Sequence, residues 1–96
     1  MLDWNNPKLV ASGINFTYTV EEDGFYLISV LGYSARIYVY VNGILVALGG
    51  NAGNFPEGWQ GDHNFLLLSK GDVITTYKPD SSNRCGANIY YIPFRR

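Results

Sequence analysis

Four side chains that could bind a ligand fall within one polar, glycine-rich stretch of the chain. They are Asn54, Trp59, Asp62 and His63. An aromatic ring can stack on the apolar face of a pyranose, while amide, carboxylate and imidazole groups bond its hydroxyls. This combination predicts a carbohydrate-binding loop over residues 51–63. The alternative is that Phe55 and Trp59 fold inward and plug one end of the domain, because long loops are often packed by their own side chains.

Catalysis would need a base or a pair of acids beside a cleft. His63 is the only histidine, and its neighbour Asp62 would point to the opposite face of a strand, which makes a poor dyad. No Gly-x-Ser-x-Gly motif is present, and no two carboxylates are marked as a glycosidase pair. We therefore expect a protein without catalytic residues, and a small polysaccharide-acting enzyme stays open as an alternative.

The sequence also offers few residues that could bind a metal ion or a cofactor. Asp62, Asn51 and Asn54 offer oxygen donors, but their spacing matches no calcium-loop pattern. The single cysteine, Cys85, cannot form an internal disulfide, and no Cys/His set suits zinc. We expect no metal, no cofactor and a plain, half-buried thiol.

Composition limits the class of protein. The 96 residues allow one domain, over residues 1–96. Apolar residues make up 47% and charged residues only 16%, which excludes a disordered tail. A net charge of −1 argues against binding nucleic acid. The start lacks a secretory pattern, and turn residues interrupt the longest uncharged stretch, so we expect synthesis in the cytoplasm without membrane insertion.

Alternating apolar and polar residues predict strands rather than helices. The predicted strands cover residues 8–12, 16–20, 25–31, 36–41, 44–48, 63–68, 73–78 and 87–94. Asn42-Gly43 between two apolar runs predicts a two-residue hairpin turn that pairs Val41 with Ile44. Residues 49–62 are predicted to be a loop. About eight short strands with regular turns indicate an all-β, antiparallel β-sandwich with jelly-roll-like topology.

Several predicted strands are apolar on both faces. In the central hairpin, one face is aliphatic, includes Leu48 and is expected to pack into the core. The opposite face carries Tyr38, Tyr40, Leu45 and Ala47. The face of a sheet that is exposed to solvent should be mostly polar. We therefore expect Tyr38, Tyr40 and Leu45 to form an interface between copies of the chain. The alternative is that tyrosine rings tolerate a solvated sheet.

Five short motifs carry a resemblance to a known family. In chain order they are Asp3-Trp4, Tyr18-Thr19-Val20 with Asp23-Gly24-Phe25, Val39-Tyr40-Val41-Asn42-Gly43, Lys70-Gly71-Asp72-Val73, and Tyr91-Ile92-Pro93-Phe94. Their order and spacing resemble the small jelly-roll knobs of bacteriophage tail-fibre and virion proteins, which are similar to the trimeric heads of the complement and tumour-necrosis-factor type. The resemblance spans residues 3–94.

The resemblance implies a homotrimeric β-sandwich used for adhesion or capsid attachment, without catalytic residues. The resulting hypothesis is a virion protein, the receptor-binding knob of a tail fibre, whose partner is a bacterial surface glycan. A capsid decoration or head-fibre structural protein, bound to another virion protein, is the alternative.

Overall fold

A computed structural model describes residues 1–33, 36–50, 59–79 and 85–95, with backbone only at Tyr33, Trp59 and Gln60. These residues form eight strands: β1 Lys8–Gly13, β2 Thr17–Thr19, β3 Gly24–Tyr33, β4 Ile37–Val41, β5 Ile44–Gly49, β6 Trp59–Leu68, β7 Val73–Tyr77 and β8 Cys85–Ile92. None of the described residues belongs to a helix long and apolar enough to cross a membrane.

The strand order is that of a jelly roll. The first strand pairs with the last, β2 with β7, β3 with β6, and β4 with β5, always antiparallel. The chain is thus one long hairpin folded into two four-stranded sheets, ordered β1-β8-β3-β6 and β2-β7-β4-β5. The predicted all-β, jelly-roll-like sandwich is confirmed.

The core lies between the two sheets and is built from alternate residues of each strand. In β3 the inward side chains are Tyr26, Ile28 and Val30, all at most 2% exposed. The facing sheet contributes Ile37 and Val39 of β4, both fully buried. Because alternate side chains of a strand point to opposite faces, the remaining residues of β3 and β4 lie on the outside of the sandwich.

The central hairpin turns where the sequence predicted it. Asn42 and Gly43 have φ angles of 51° and 83°, as a type I′ turn requires, and Val41 pairs with Ile44. The Asn42 side chain also accepts a hydrogen bond from the Val73 N–H at 2.9 Å and donates one to Asp72 at 3.0 Å. The hairpin tip is thereby fixed to the turn that precedes β7.

A β-bulge corrects the predicted faces of β5. Tyr40 pairs with Leu45, whereas Val39 pairs with Ala47, so Val46 is the extra residue. Beyond the bulge the alternation reverses: Ala47 is buried in the core at 3% exposure and Leu48 lies outside at 40%. Placing Ala47 on the outer face and Leu48 in the core was therefore wrong.

The predicted loop over residues 49–62 was too long at both ends. Gly49 still belongs to β5, and β6 begins at Trp59, which pairs with Tyr33. Gly61 suggested a loop, but it lies inside the ladder because β3 passes very close to it. A Cβ at this position would be 2.8 Å from the Val30 carbonyl oxygen. The glycine therefore marks close strand approach rather than a turn.

Candidate binding surfaces

Two of the polar residues predicted at the ligand site, Asp62 and His63, lie on different faces of β6. His63 pairs with Ser29, whose strand neighbours Ile28 and Val30 point into the core, so His63 lies on the outer face. Asp62 pairs with Val30 and lies on the inner side, at the edge of the sandwich. This opposite placement was predicted, and it means that Asp62 and His63 do not share one binding surface.

Asp62 is engaged by the neighbouring sheet. One carboxylate oxygen accepts a hydrogen bond from the Leu48 N–H at 3.2 Å, and the other accepts one from the His63 N–H at 2.8 Å. Asn64 acts in the same way, because its side-chain amide donates to the Val46 carbonyl at 3.1 Å. A shallow cleft of about 190 Å³ lies between Asp62 and residues 45–48. These contacts bind the exposed edge of β5 to β6.

His63 belongs to a polar row that crosses the outer face of its sheet. Antiparallel pairing places Ser12 beside Asn88, Asn88 beside Ser29, and Ser29 beside His63. The Ser12 hydroxyl donates to the Asn88 side-chain oxygen at 2.6 Å. Hydroxyl, amide and imidazole groups in one line are able to bond a polyhydroxylated ligand.

The other predicted ligand residues are only partly covered by the structure. Trp59 contributes the first backbone position of β6, four residues before His63. Asn54 lies outside the described residues, as do Asn51 and Phe55. The prediction that residues 51–63 either bind a ligand or plug the sandwich therefore stays a prediction.

The three predicted interface residues lie together on the outer face of the β2-β7-β4-β5 sheet. Tyr40 pairs with Leu45, and Tyr38 pairs with Tyr77 and Leu48. The rings of Tyr38 and Tyr40 are 6.4 Å apart, and those of Tyr38 and Tyr77 are 6.3 Å apart. Leu45 is 50% exposed and Tyr77 is 53% exposed. We call these five residues the tyrosine face.

A larger apolar surface covers the outer face of the β1-β8-β3-β6 sheet. Its central members share ring contacts or strand pairing: Trp4, Phe25, Leu27, Phe65, Leu67 and Phe94. Leu9 and Tyr90 extend it across β8 to β1. We call these eight residues the aromatic face.

The sequence indicated only part of the aromatic face. Phe25 and Leu27 alternate with Tyr26 and Ile28 in an apolar run of the sequence, which indicates a strand that is apolar on both faces. Phe65 and Leu67 were detectable, because they alternate with His63 along one strand. Trp4 and Phe94 were not, because they reach this face from the two chain termini. There the Asp3 N–H donates to the Pro93 carbonyl at 2.7 Å.

A small cleft on the opposite edge gathers tyrosine hydroxyls. The Tyr26 hydroxyl donates to the Glu22 carbonyl at 2.7 Å. Burial raises the pKa of Tyr26 to about 12 and also raises the pKa of Tyr18 and of Tyr91. The hydroxyls therefore remain neutral donors at neutral pH. The cleft encloses about 20 Å³, space for about one water molecule, so we assign it a structural role.

Other acidic side chains serve turns. The Ser69 N–H and the Asn42 amide hydrogen-bond to Asp72 and lower the pKa of its carboxyl group. The Asn6 side chain does the same for Asp3. Across residues 1–33, 36–50, 59–79 and 85–95, no three Asp, Glu, His or Cys residues come close enough to hold a metal ion.

No protein-family model matches the chain, and no curated protein matches it.

Proposed function

We propose that this chain is a non-enzymatic virion protein of a phage or prophage, a homotrimeric knob that binds a glycan on the host surface. The observation that carries the proposal is that both outer faces of the sandwich expose large apolar side chains, in addition to those that form the core between the sheets. Trp4, Leu67 and Phe94 are each more than half exposed on one side, and Tyr77 is so on the other.

Such surfaces favour assembly over an isolated monomer. Soluble monomers rarely expose contiguous apolar patches larger than a few hundred Å². A specific interface covers roughly 800 Å² on each partner, which is within reach of a sheet face in a domain of this size.

The strand order supports a jelly-roll head of the kind that the resemblance implied. The pairing of β1 with β8, β2 with β7, β3 with β6, and β4 with β5 is the jelly-roll order that the resemblance implied. A trimer would carry three copies of a weak sugar-binding site. Binding at one site raises the effective concentration of the glycan at the other two, which increases the overall avidity. A capsid decoration protein would share the assembly and lack the glycan site.

The polar row supports a glycan as the ligand. Ser12, Asn88, Ser29 and His63 present alternating hydroxyl, amide and imidazole groups along a line across four strands. Trp59 opens the strand that carries His63. Polar and aromatic side chains are the residue types that bond sugar hydroxyls and stack on pyranose rings.

Binding to purified bacterial envelope polysaccharides, compared with binding to capsids, tests this function. The wild-type protein should be retained on at least one polysaccharide and should leave it unchanged in length. His63→Ala and Trp59→Ala should weaken retention while preserving the circular dichroism spectrum. Ser69→Ala, on the turn before β7, is a control away from the polar row.

Three results would contradict parts of the proposal. Retention on capsids alone would favour the decoration protein. Shortening of the polysaccharide would establish an enzyme. Loss of the folded spectrum in Trp59→Ala would favour a plug of the sandwich over a ligand contact for that residue.

A further inference from the structure

We propose that the aromatic face is where copies of this chain pack against one another. This inference rests on the proposed assembly and assigns the surface that mediates it. The occupant is a second copy of the same chain, and the tyrosine face is left toward solvent.

The first support is the continuity of the face. Ring centroids of Trp4 and Phe65 are 5.1 Å apart, those of Phe65 and Phe25 are also 5.1 Å apart, and Phe25 lies 6.2 Å from Phe94. The planes of Phe25 and Phe65 differ by only 8°. Four aromatic side chains from four separate parts of the chain thus form one connected surface.

The second support is its area. Trp4, Leu9, Leu67 and Phe94 are 52%, 52%, 69% and 56% exposed, and the remaining four members are partly buried. With roughly 150–250 Å² for a fully exposed aromatic side chain, the face presents on the order of 600 Å². That area approaches the roughly 800 Å² that each partner contributes to a stable interface.

The third support is charge. Strand pairing places Leu9, Tyr90, Leu27 and Phe65 of the face in one row, and Phe25 and Leu67 in the next. Every member of these rows is uncharged, and the neighbouring polar row holds Ser12, Asn88, Ser29 and His63. A neutral surface can lie close to the surfaces of other copies around a symmetry axis without like-charge repulsion.

Symmetry also requires a choice between the two apolar faces. They lie on opposite sides of the sandwich, so front-to-back packing of one copy on the next would build an open stack rather than a closed ring. A closed assembly can turn only one face toward its axis. The tyrosine face carries three phenolic hydroxyls that water can bond, whereas Tyr90 contributes the only hydroxyl of the aromatic face.

The experiment compares matched single charges on the two sheets. Leu67→Glu places a carboxylate on the aromatic face, and Phe94→Glu is a second variant outside the named strands. Ile44→Glu is the control, because Ile44 is also 69% exposed and also lies on an edge strand. Leu45→Glu tests the tyrosine face. Each is measured by sedimentation equilibrium, with circular dichroism as the check on folding.

A carboxylate buried in an apolar interface is strongly unfavourable. Leu67→Glu and Phe94→Glu should each weaken assembly at least about 100-fold and yield a folded species of 10.7 kDa, whereas Ile44→Glu and Leu45→Glu should assemble like the wild type. An intact assembly in both aromatic-face variants would overturn the assignment. Selective dissociation of Leu45→Glu would place the interface on the tyrosine face. A monomeric wild type would instead contradict the proposed assembly itself.

Discussion

Asp62 on β6 accepts a hydrogen bond at 3.2 Å from the backbone N–H of Leu48, on the edge strand of the opposite sheet. Unpaired edge groups are templates for unwanted strand pairing, and proteins commonly cover them with polar side chains. Asp62 and Asn64 do so here, because they occupy one N–H and one carbonyl of β5. The residue predicted from sequence as a ligand contact therefore has a structural partner within the chain.

We expect Asp62→Ala to destabilise the fold. The change removes the partner of the Leu48 N–H and should lower the free energy of unfolding by about 1 kcal/mol. Urea unfolding at one fixed protein concentration measures the difference, because assembly makes stability concentration-dependent. His63→Ala, one residue away on the outer face, should stay within about 0.5 kcal/mol of the wild type. Equal midpoints for Asp62→Ala and the wild type would show that this bond contributes nothing.

Two glycines should respond to alanine for different physical reasons. Gly43 has a φ of 83° with no atom within 4 Å of an added Cβ, so Gly43→Ala should cost only the backbone strain, about 1 kcal/mol. Gly61→Ala would bring its Cβ to 2.8 Å from the Val30 carbonyl oxygen. Moving a backbone atom is harder, so we expect a larger loss, about 2 kcal/mol.

Thermal unfolding of the two variants measures this order at one protein concentration. Gly61→Ala should have the lower midpoint of the two. The reverse order would mean that β6 can move away from β3 at little cost, contrary to the close approach described above.

Alkaline pH should weaken the fold through the buried tyrosines. Burial raises the pKa of Tyr26 from its ordinary 10.0 to about 12 and raises that of Tyr18 and Tyr91. Above pH 10 the unfolded chain loses these protons first, so stability is full below pH 10 and falls as pH rises toward about 12. Urea midpoints between pH 8 and pH 12, at one protein concentration, measure the decline.

Tyr26→Phe separates this residue from the others. At neutral pH the variant should be less stable by about 1 kcal/mol, because the bond to the Glu22 carbonyl is lost. Its midpoint should then fall less steeply with rising pH than that of the wild type. Parallel declines in the two proteins would show that Tyr26 does not contribute to the alkaline transition.

Much of the fold was predictable because its signals are local. Strand alternation and the Asn42-Gly43 turn predict β4 and β5 directly, and the structure confirms their pairing. The bulge at Val46 was not predictable, since it depends on the register in which β5 pairs with β4. The start of β6 was missed because Gly61 is compatible with both a turn and a close strand contact.

The candidate surfaces depend on register, which a single sequence does not determine. His63 could be identified as a polar residue, but its row with Ser29, Asn88 and Ser12 requires knowing that β6, β3, β8 and β1 are neighbours. The aromatic face likewise brings together Trp4, Phe65 and Phe94 from distant positions. The tyrosine face was predicted in part because Tyr38, Tyr40 and Leu45 belong to one hairpin.

The mass of the native protein in solution tests the central claim most directly, because the exposed apolar side chains of the aromatic face require a partner. Sedimentation equilibrium over micromolar concentrations should give three times the chain mass of 10.7 kDa. A single species of 10.7 kDa throughout that range would contradict it, since the aromatic face would then remain in water.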